Sequence, residues 1–363
     1  MRVLVTGHRG YIGAVLCPML LERGIDVVGL DTDLFRDGDF VSKDAPGDES
    51  APSPTLALAP LAEVETIARD LRDIRAADLE GFDAVMHLAA LSNDPLGNLD
   101  ASLTTDINYT ASLQVAELAK AAGVERFIFS SSCSTYGAAG DDALDENAAF
   151  NPVTPYAVEK VRLERALHDL ADDDFSPTYL RNATAYGASP RLRLDIVLNN
   201  LVGWAYTTGK VLMLSDGTPW RPIVHVEDIC RAFLATLEAP RESVHDEAFN
   251  VGRSAHNYRI RELGEIVVDT VPGSVMEFAP NAGPDKRSYR VDFTKIETQL
   301  PGFDPQWDAK KSAERLLRCY QEFGLTKEHM EGPEFIRLAR LQQRIDGGEL
   351  DAQLRWLETQ RAG

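Results

Sequence analysis

The chain has 363 residues, of which 44% are hydrophobic and 26% charged, a composition that excludes disordered and fibrous proteins. Its 57 acidic side chains outnumber its 37 Lys and Arg and give a formal charge of -20, so nucleic acid and membrane surfaces are not expected partners. No apolar run approaches the roughly 18 residues of a membrane span, and the four scattered cysteines lack metal-ligand spacing, so we expect a cytoplasmic protein without a metal.

The first half of the chain alternates short β-branched runs with amphipathic segments. Strands are predicted at 2–6, 25–31, 84–89, 126–131 and 177–181. Helices are predicted at about 11–23, 100–122 and 155–173, where apolar residues recur every three or four positions. This alternation predicts an α/β fold in which a Rossmann-type doubly wound parallel sheet is covered on both faces.

The remaining segments follow a different pattern. Residues 36–60 are rich in Asp, Ser, Pro and Ala, which predicts an exposed loop, either a bland insertion or a lid. The first predicted domain, which contains the Rossmann-type sheet, spans 1–181, with a strand and a helix added from about 217–240. A smaller substrate-binding lobe, interleaved with that domain, is predicted over 182–320. Residues 321–363 are predicted to form a helical tail suited to packing or to a subunit contact.

The first predicted strand leads into TGHRGYIG, which places Gly7, Gly10 and Gly13 at a turn and at the start of a helix. Glycines let the backbone approach a pyrophosphate, whose charge is met by the N–H groups of the helix N-terminus. The second strand ends at Asp31, where a carboxylate can accept hydrogen bonds from both ribose hydroxyls. Such a carboxylate repels the 2′-phosphate of NADP, so NAD is the predicted cofactor. Nearby Arg9 and Arg36 leave NADP as an alternative.

A second group of residues suggests proton transfer. Tyr156 and Lys160 are four positions apart on a predicted helix and therefore share one face. A lysine ammonium stabilises a phenolate, so the tyrosine can take a proton from an alcohol near neutral pH. Such pairs also occur by chance. Here, however, the run SSSCSTYG places Ser130, Ser131, Ser132 and Ser134 at the carboxyl edge of the sheet, where ligands bind in open α/β folds.

Taken in order, TGHRGYIG, Asp31, Asp70, HLAA (87–90), SSSCSTYG and YAVEK resemble the extended short-chain dehydrogenase/reductase family, and within it the NAD-dependent nucleotide-sugar epimerases and dehydratases. The resemblance covers about residues 1–305 and leaves out the acidic loop and the tail. It implies tightly held NAD and a homodimer formed through the helices at 100–122 and 155–173. The implied cofactor contacts are Gly7, Gly10, Tyr11, Ile12, Gly13, Asp31, Asp70, Leu71, Leu88, Ala89, Ala90, Asn108, Ser130, Tyr156 and Lys160.

The resemblance also implies a nucleotide-sugar substrate. Arg221 and Arg287 match two arginines that grip the substrate diphosphate, a role suited to forked guanidinium donors. Ser132 matches the residue that hydrogen-bonds the sugar hydroxyl being oxidised, which makes Ser132, Tyr156 and Lys160 the implied catalytic set. The other implied substrate positions are Ser92, Cys133, Ser134, Thr184, Asn199 and Asn200, with one of the two asparagines at the diphosphate.

Two departures from the family pattern bear on the reaction. Thr184 stands where the family commonly has Asn, which leaves the role of Asn182 open. Dehydratases of the family usually carry two acidic residues after the catalytic Ser or Thr, and here those positions are Cys133 and Ser134. We therefore expect C4 epimerisation through a 4-keto intermediate. The alternatives are a dehydratase with Cys133 as acid, a decarboxylase, a 4-ketoreductase and a non-catalytic NAD sensor. His87 and His225 lie in apolar strands and are interpreted as structural.

Overall fold

The computed structural model describes residues 1–40, 63–92, 100–137, 142–283 and 288–357. The strands in these ranges are β1 (Arg2–Thr6), β2 (Asp26–Asp31), β3 (Glu65–Ala68), β4 (Ala84–His87), β5 (Arg126–Ser132), β6 (Ala143–Leu144), β7 (Ser176–Asn182), β8 (Thr184–Tyr186), β9 (Lys210–Ser215), β10 (Trp220–His225), β11 (Glu247–Val251), β12 (Asn257–Arg259), β13 (Val275–Gly283) and β14 (Arg290–Val291).

The α-helices of the same ranges are α1 (Gly13–Glu22), α2 (Ala101–Thr105), α3 (Ser112–Ala121), α4 (Pro155–Leu170), α5 (Val197–Thr208), α6 (Val226–Glu238), α7 (Arg241–Val244), α8 (Ile260–Thr270), α9 (Thr294–Gln299), α10 (Ala309–Phe323), α11 (Lys327–Glu331) and α12 (Arg337–Asp346). A π-helical segment, Asp106–Ala111, joins α2 to α3. Short 3₁₀ turns lie at Leu71–Asp73, Ala76–Leu79, Cys133–Tyr136 and Ser254–His256. Within the described ranges, no helix is both long and apolar enough to cross a bilayer.

The largest sheet has seven strands in the order β11-β7-β5-β4-β1-β2-β3, and all of its pairs are parallel. Its central strands are nearly continuous apolar runs because both faces are buried. Helices α1 and α6 pack on one face, and α3 and α4 pack on the other. The predicted Rossmann-type α/β fold is therefore confirmed. Strands β3 and β11 were not predicted.

The second half of the chain builds around a separate apolar cluster that includes α5, α8 and α10. The segment 217–240 forms β10 and α6. Strand β10 pairs with β8 and β12 rather than with the large sheet, whose late strand is β11. Residues 41–60 of the predicted acidic loop lie outside the described residues. The C-terminal segment is helical and packs on the loop after β2, where Leu341 and Leu354 join a cluster with Leu91 and Leu103.

Two buried histidines make the stability of this fold sensitive to acid. His8 and His87 are almost completely buried. Burial, and then the charge of Arg9, lower the pKa of His8 to about 4. Burial, and then Lys160, lower the pKa of His87 to about 3. Between pH 6.5, where free histidine titrates, and about pH 4, the unfolded chain therefore binds protons that the native protein does not.

We predict that the free energy of unfolding falls as the pH drops through this window, because stability rises with pH wherever the unfolded state binds more protons. The His87→Asn variant lacks one of these titrating groups. The slope of its free energy of unfolding against pH is therefore smaller by up to about 1.4 kcal/mol per pH unit. Urea unfolding at pH 6.5, 5.5 and 4.5 measures that slope. His168→Asn is the control, since the His168 side chain is 68% exposed. Parallel curves for the wild type and His87→Asn would contradict the prediction.

Candidate cofactor and substrate site

A cavity of about 1070 Å³ lies at the carboxyl ends of the parallel strands. Residues at the ends of β1 and β4 contribute to its lining. The strand order reverses between these two strands, which is where open α/β sheets bind their ligands. The predicted residues that line it are Gly7, Gly10, Tyr11, Ile12, Gly13, Asp31, Asp70, Leu71, Leu88, Ala89, Ala90, Ser92, Ser130, Ser132, Ser134, Tyr156, Lys160, Thr184, Asn200 and Arg221.

The turn between β1 and α1 contains two glycines at which there is no room for a side chain. Gly7 has φ +74°, and a Cβ there would lie 2.9 Å from the backbone nitrogen of Ala89. A Cβ at Gly13 would lie 2.5 Å from the Gly7 carbonyl oxygen. The bare backbone therefore forms a cradle at the N-terminus of α1, which suits the pyrophosphate of a dinucleotide.

Asp31 is held at the end of β2 by backbone donors. The N–H of Arg9 donates to Oδ2 at 2.9 Å and the N–H of Asp33 donates to Oδ1 at 2.7 Å. Burial raises the pKa of Asp31, and these N–H groups act against the rise. Both arginines that could have received a 2′-phosphate have other contacts: Arg9 donates to Asp33 at 2.8 Å, and Arg36 lies 3.8 Å from the ring centroid of Trp356.

The lining also contains buried polar atoms that no described residue satisfies. These are Asn182 Oδ1, Ser134 Oγ and Arg337 Nη1. Buried polar atoms without a partner are rare in folded proteins and indicate a polar ligand. Together with the glycine cradle and the ribose-side carboxylate, they fit NAD. No cluster of His, Cys, Asp and Glu in the described ranges could hold a metal ion.

We predict that Asp31→Ala weakens NAD binding and narrows the preference for NAD over NADP. The loss of hydrogen bonds to a charged group raises the Kd for NAD roughly tenfold to a hundredfold. The affinity for NADP rises relative to that for NAD, because the carboxylate that repels the 2′-phosphate is gone. Titration calorimetry with both cofactors measures the two affinities. Asp26→Ala, at the exposed start of β2, is the control. An unchanged ratio of the two Kd values would show that Asp31 does not select the cofactor.

A small ionic network surrounds Asp70, which is a predicted cofactor contact in the cavity lining. Asp70 accepts two hydrogen bonds from the Arg72 guanidinium, at 2.9 and 2.7 Å, and lies 3.7 Å from Arg355. Although burial acts to raise it, these contacts hold the pKa of Asp70 below its usual value. Its carboxylate therefore shapes this part of the cavity through Arg72, beside Leu71.

Helix α4 delivers the tyrosine and the lysine to the cavity. Thr154 caps the helix by accepting from the N–H of Ala157, and Pro155 occupies the first turn. Tyr156 follows directly. Lys160, one turn on, is buried and donates to the Ser130 carbonyl at 2.6 Å, with its Nζ 5.6 Å from the Tyr156 ring centroid. Burial lowers the pKa of Lys160 to about 7.

The serines at the end of β5 face this pair. The Ser132 hydroxyl accepts from the N–H of Ser134 at 3.1 Å and opens the 3₁₀ turn that follows the strand. The Ser130 hydroxyl accepts from Asn182 Nδ2 at 3.1 Å. Asn182 is thereby fixed in the wall with its Oδ1 unpaired by any described residue. A phenol, an amine and a hydroxyl therefore converge on one part of the cavity.

Three predicted site residues do not line the cavity. Cys133 is fully buried, its Sγ lies 3.0 Å from the Arg181 carbonyl oxygen, and burial raises its pKa, so it is not placed to act as an acid on substrate. Asn199 is also fully buried and bonds the backbone of Gly187 and Arg193. Asn108 bonds the backbone N–H and carbonyl of Leu91 and so acts on the loop after β4.

On the substrate side, Thr184, Asn200 and Arg221 line the cavity, and Ser92 accepts from Arg193 at 3.1 Å. Arg287 lies outside the described residues. His87 and His225 make packing contacts: the first lies against Phe127 and Phe129, and the second stacks on Trp307 with ring centroids 4.2 Å apart.

The charged lining residues that the sequence did not indicate include Arg193, Asp195 and Arg337. The Arg-x-Asp spacing of the first two is a usable signal, since the Arg193 guanidinium donates to Asp195 at 2.8 and 2.9 Å. Nothing in the sequence around Arg337 indicates a ligand. It reaches the cavity only because the tail folds back on the loop after β2.

Comparison with known proteins gives a consistent result. The family model "NAD dependent epimerase/dehydratase family" matches residues 3–252. UDP-glucose 4-epimerase of Lactobacillus helveticus is 30% identical over 326 residues, covering 84% of this chain and 92% of that protein. The solved structure of MoeE5 in complex with UDP-glucuronic acid and NAD is 26% identical, with a TM-score of 0.71 over 88% of this chain and 99% of that one. UDP-glucuronic acid 4-epimerase of Bacillus cereus shares the fold, at 23% identity and a TM-score of 0.73 over 88% of this chain and 99% of that one.

Proposed function

Because the chain belongs to the NAD-dependent epimerase/dehydratase family, we propose that it is a nucleotide-sugar epimerase that inverts C4 of a hexose or uronic acid linked to a nucleoside diphosphate. The observation that carries this proposal is the grouping of Ser132, Tyr156 and Lys160 at one cavity wall, with no carboxylate in the two positions after Ser132. Dehydratases of this family usually carry an acidic pair there, which serves as general acid and base. The relative named UDP-glucose 4-epimerase supports the same reaction.

NAD supplies the redox chemistry, since it accepts a hydride from the sugar carbon and later gives it back. The residues of the chain handle the proton and the geometry. The Tyr156 phenolate takes the proton of the C4 hydroxyl as the C4–H bond breaks, which leaves a ketone at C4. Ser132 orients that oxygen. When the hydride returns to the opposite face, Tyr156 gives the proton back and the inverted alcohol forms.

Lys160 stabilises the phenolate form of Tyr156. Its pKa of about 7 in the buried site means that a neighbouring negative charge is needed to keep the ammonium protonated above neutral pH. A phenolate at Tyr156 supplies that charge, so the two groups stabilise each other. The Ser130 carbonyl, which accepts from Nζ at 2.6 Å, fixes the ammonium in position.

The ketosugar must rotate and present its opposite face before the hydride returns. Arg221, on β10, lines the cavity beside Tyr289, with its guanidinium 6.0 Å from that ring centroid. We assign it to the substrate diphosphate, so that the sugar rotates about its bond to an anchored group. Arg287, which lies outside the described residues, keeps its predicted role as a second diphosphate contact.

We also propose that two copies of the chain associate through the helices at 100–122 and 155–173. Val158, on α4, is 37% exposed and is a candidate for this contact. Light scattering coupled to gel filtration measures the mass. A monomer at micromolar concentration would contradict the proposal.

The reaction is tested by incubating the purified protein in D2O with UDP-, dTDP-, GDP- and CDP-sugars, without added cofactor, and analysing products by mass spectrometry and NMR. The proposal predicts a stereoisomer of unchanged mass with no deuterium on carbon. Loss of water or of carbon dioxide would assign a dehydratase or a decarboxylase. Turnover that requires NADH and a ketosugar would assign a reductase, and binding without turnover would assign a non-catalytic NAD protein.

A further inference from the structure

The C-terminal segment 333–357 forms one wall of the cofactor end of the cavity. Arg337, at the start of α12, and Leu354 both line it. The segment is fastened to the loop after β2: Trp356 Nε1 donates to the Thr32 carbonyl at 2.6 Å, and Arg344 donates to the Arg36 carbonyl at 2.6 Å. This wall lies beyond residue 252, where the match to the family model ends.

The Arg337 guanidinium lies near those of Arg191 and Arg193, each of which has a carboxylate partner. Arg191 lies 3.4 Å from Asp33, and Arg193 lies 2.8 Å from Asp195. Arg337 is only 3% exposed and forms no ion pair with any described carboxylate within 4 Å. Asp195 and Asp31 attract it only from a greater distance, so among these three guanidinium groups Arg337 lacks a direct carboxylate partner.

The contacts of Arg337 leave one of its two terminal guanidinium nitrogens without a hydrogen-bond partner among the described residues. Its Nη2 donates to the Arg191 carbonyl at 3.0 Å, and its guanidinium carbon lies 4.1 Å from the Phe35 ring centroid. Its Nη1 has no partner among the described residues. Burial, followed by repulsion from Arg193, lowers the pKa of Arg337 to about 9. An unsatisfied charged donor in a buried site is costly, and an anion in the cavity relieves that cost.

The position of Arg337 identifies the anion. The carbonyl that it bonds belongs to Arg191, whose N–H donates to Ser189 Oγ at 3.2 Å. The Ser189 hydroxyl in turn donates to the Tyr11 carbonyl at 2.8 Å, in the glycine-rich turn. Arg337 is thus tied through two residues to the turn that receives a pyrophosphate.

We propose that Arg337 donates to the diphosphate of NAD and that the C-terminal segment thereby retains the cofactor. A forked guanidinium suits a diphosphate because it offers several donors in one plane. Leu354 and Arg355 extend the same wall to Asp70. The assignment does not depend on which sugar reaction the protein catalyses.

The test compares Arg337→Met with Arg318→Met, which removes an exposed arginine of α10 that does not line the cavity. NAD carried by the purified proteins is measured after denaturation, and Kd values are measured for NAD, ADP-ribose and adenosine. We expect Arg337→Met to lose bound NAD and to raise the Kd for NAD and ADP-ribose roughly tenfold to a hundredfold. Its affinity for adenosine, which has no phosphate, stays that of the wild type, and Arg318→Met behaves as the wild type throughout.

Arg337→Gln keeps a donor for the Arg191 carbonyl without the charge and serves if the Met variant does not fold. It is expected to show the same selective loss for the two diphosphate ligands. Unchanged NAD content and affinity in a folded variant would overturn the proposal. So would a loss that is equal for adenosine and ADP-ribose, because it would assign Arg337 to the shape of the wall alone.

Discussion

Replacing Tyr156 by Phe lowers kcat by roughly two to four orders of magnitude, because proton transfer from the sugar hydroxyl loses its acceptor. The ring remains, so the packing of the first turn of α4 and the cap from Thr154 are kept. NAD content therefore stays at the wild-type level. Steady-state turnover with the substrate found in the product screen, together with cofactor content, measures both quantities.

The control for this variant is Tyr109→Phe. Tyr109 lies in the π-helical segment next to α3, against the Arg162 guanidinium, and does not line the cavity. Its turnover should match that of the wild type. Full activity in Tyr156→Phe would remove the tyrosine from the mechanism and with it the proposed reaction.

Replacing Lys160 by Met produces the second large effect, and its size depends on pH. A phenol without a neighbouring ammonium ionises near pH 10, so at pH 7 the variant has almost no phenolate and kcat falls by roughly two orders of magnitude or more. As the pH rises toward the pKa of the free phenol, the variant gains the phenolate that the wild type already has. The difference between them therefore narrows toward pH 9.5.

The pH profile of kcat, measured from pH 6 to pH 9.5, tests this expectation. Lys120→Met is the matched control, since Lys120 is a lysine of α3 that pairs with Asp172 and does not line the cavity. A deficit in Lys160→Met that is constant across the pH range would show that the lysine supports only the structure of the site.

Much of the fold follows from local pattern. Strands β1, β2, β4, β5 and β7 are predictable because strands buried on both faces of a parallel sheet are short continuous apolar runs. Strand β3 is only four residues long and partly exposed, so it carries no such pattern. The pairing of β10 with β8 and β12 depends on contacts between distant segments, which local pattern does not encode.

The site shows the same division. Tyr156 and Lys160 share a face because an α-helix repeats every 3.6 residues, and that spacing is visible in the sequence. Asn199 and Asn200 are adjacent on α5 and therefore point about 100° apart, so the sequence could not choose between them. The structure turns Asn200 to the cavity and Asn199 into the core.

Cys133 and Arg337 illustrate the opposite errors. The sequence predicts a substrate contact for Cys133 because it follows Ser132 at the strand end, but the 3₁₀ turn that begins there directs it into the core. Arg337 has no local signature and gains its place through the packing of the tail on Leu34, Phe35 and Leu91. The spacing of residues in the sequence determines which of them are neighbours on one helix or strand. The direction of a turn or of the C-terminal tail is instead set by tertiary packing.

The central claim is that one hydride leaves C4 of the sugar and returns to the same carbon on the other face. A nucleotide sugar that carries deuterium at C4, incubated in ordinary water with no added cofactor, tests it directly by NMR of the product. The expected product is the C4 epimer with deuterium still at C4. An epimer that has lost this label to solvent, or a product with the configuration at C4 unchanged, would contradict it.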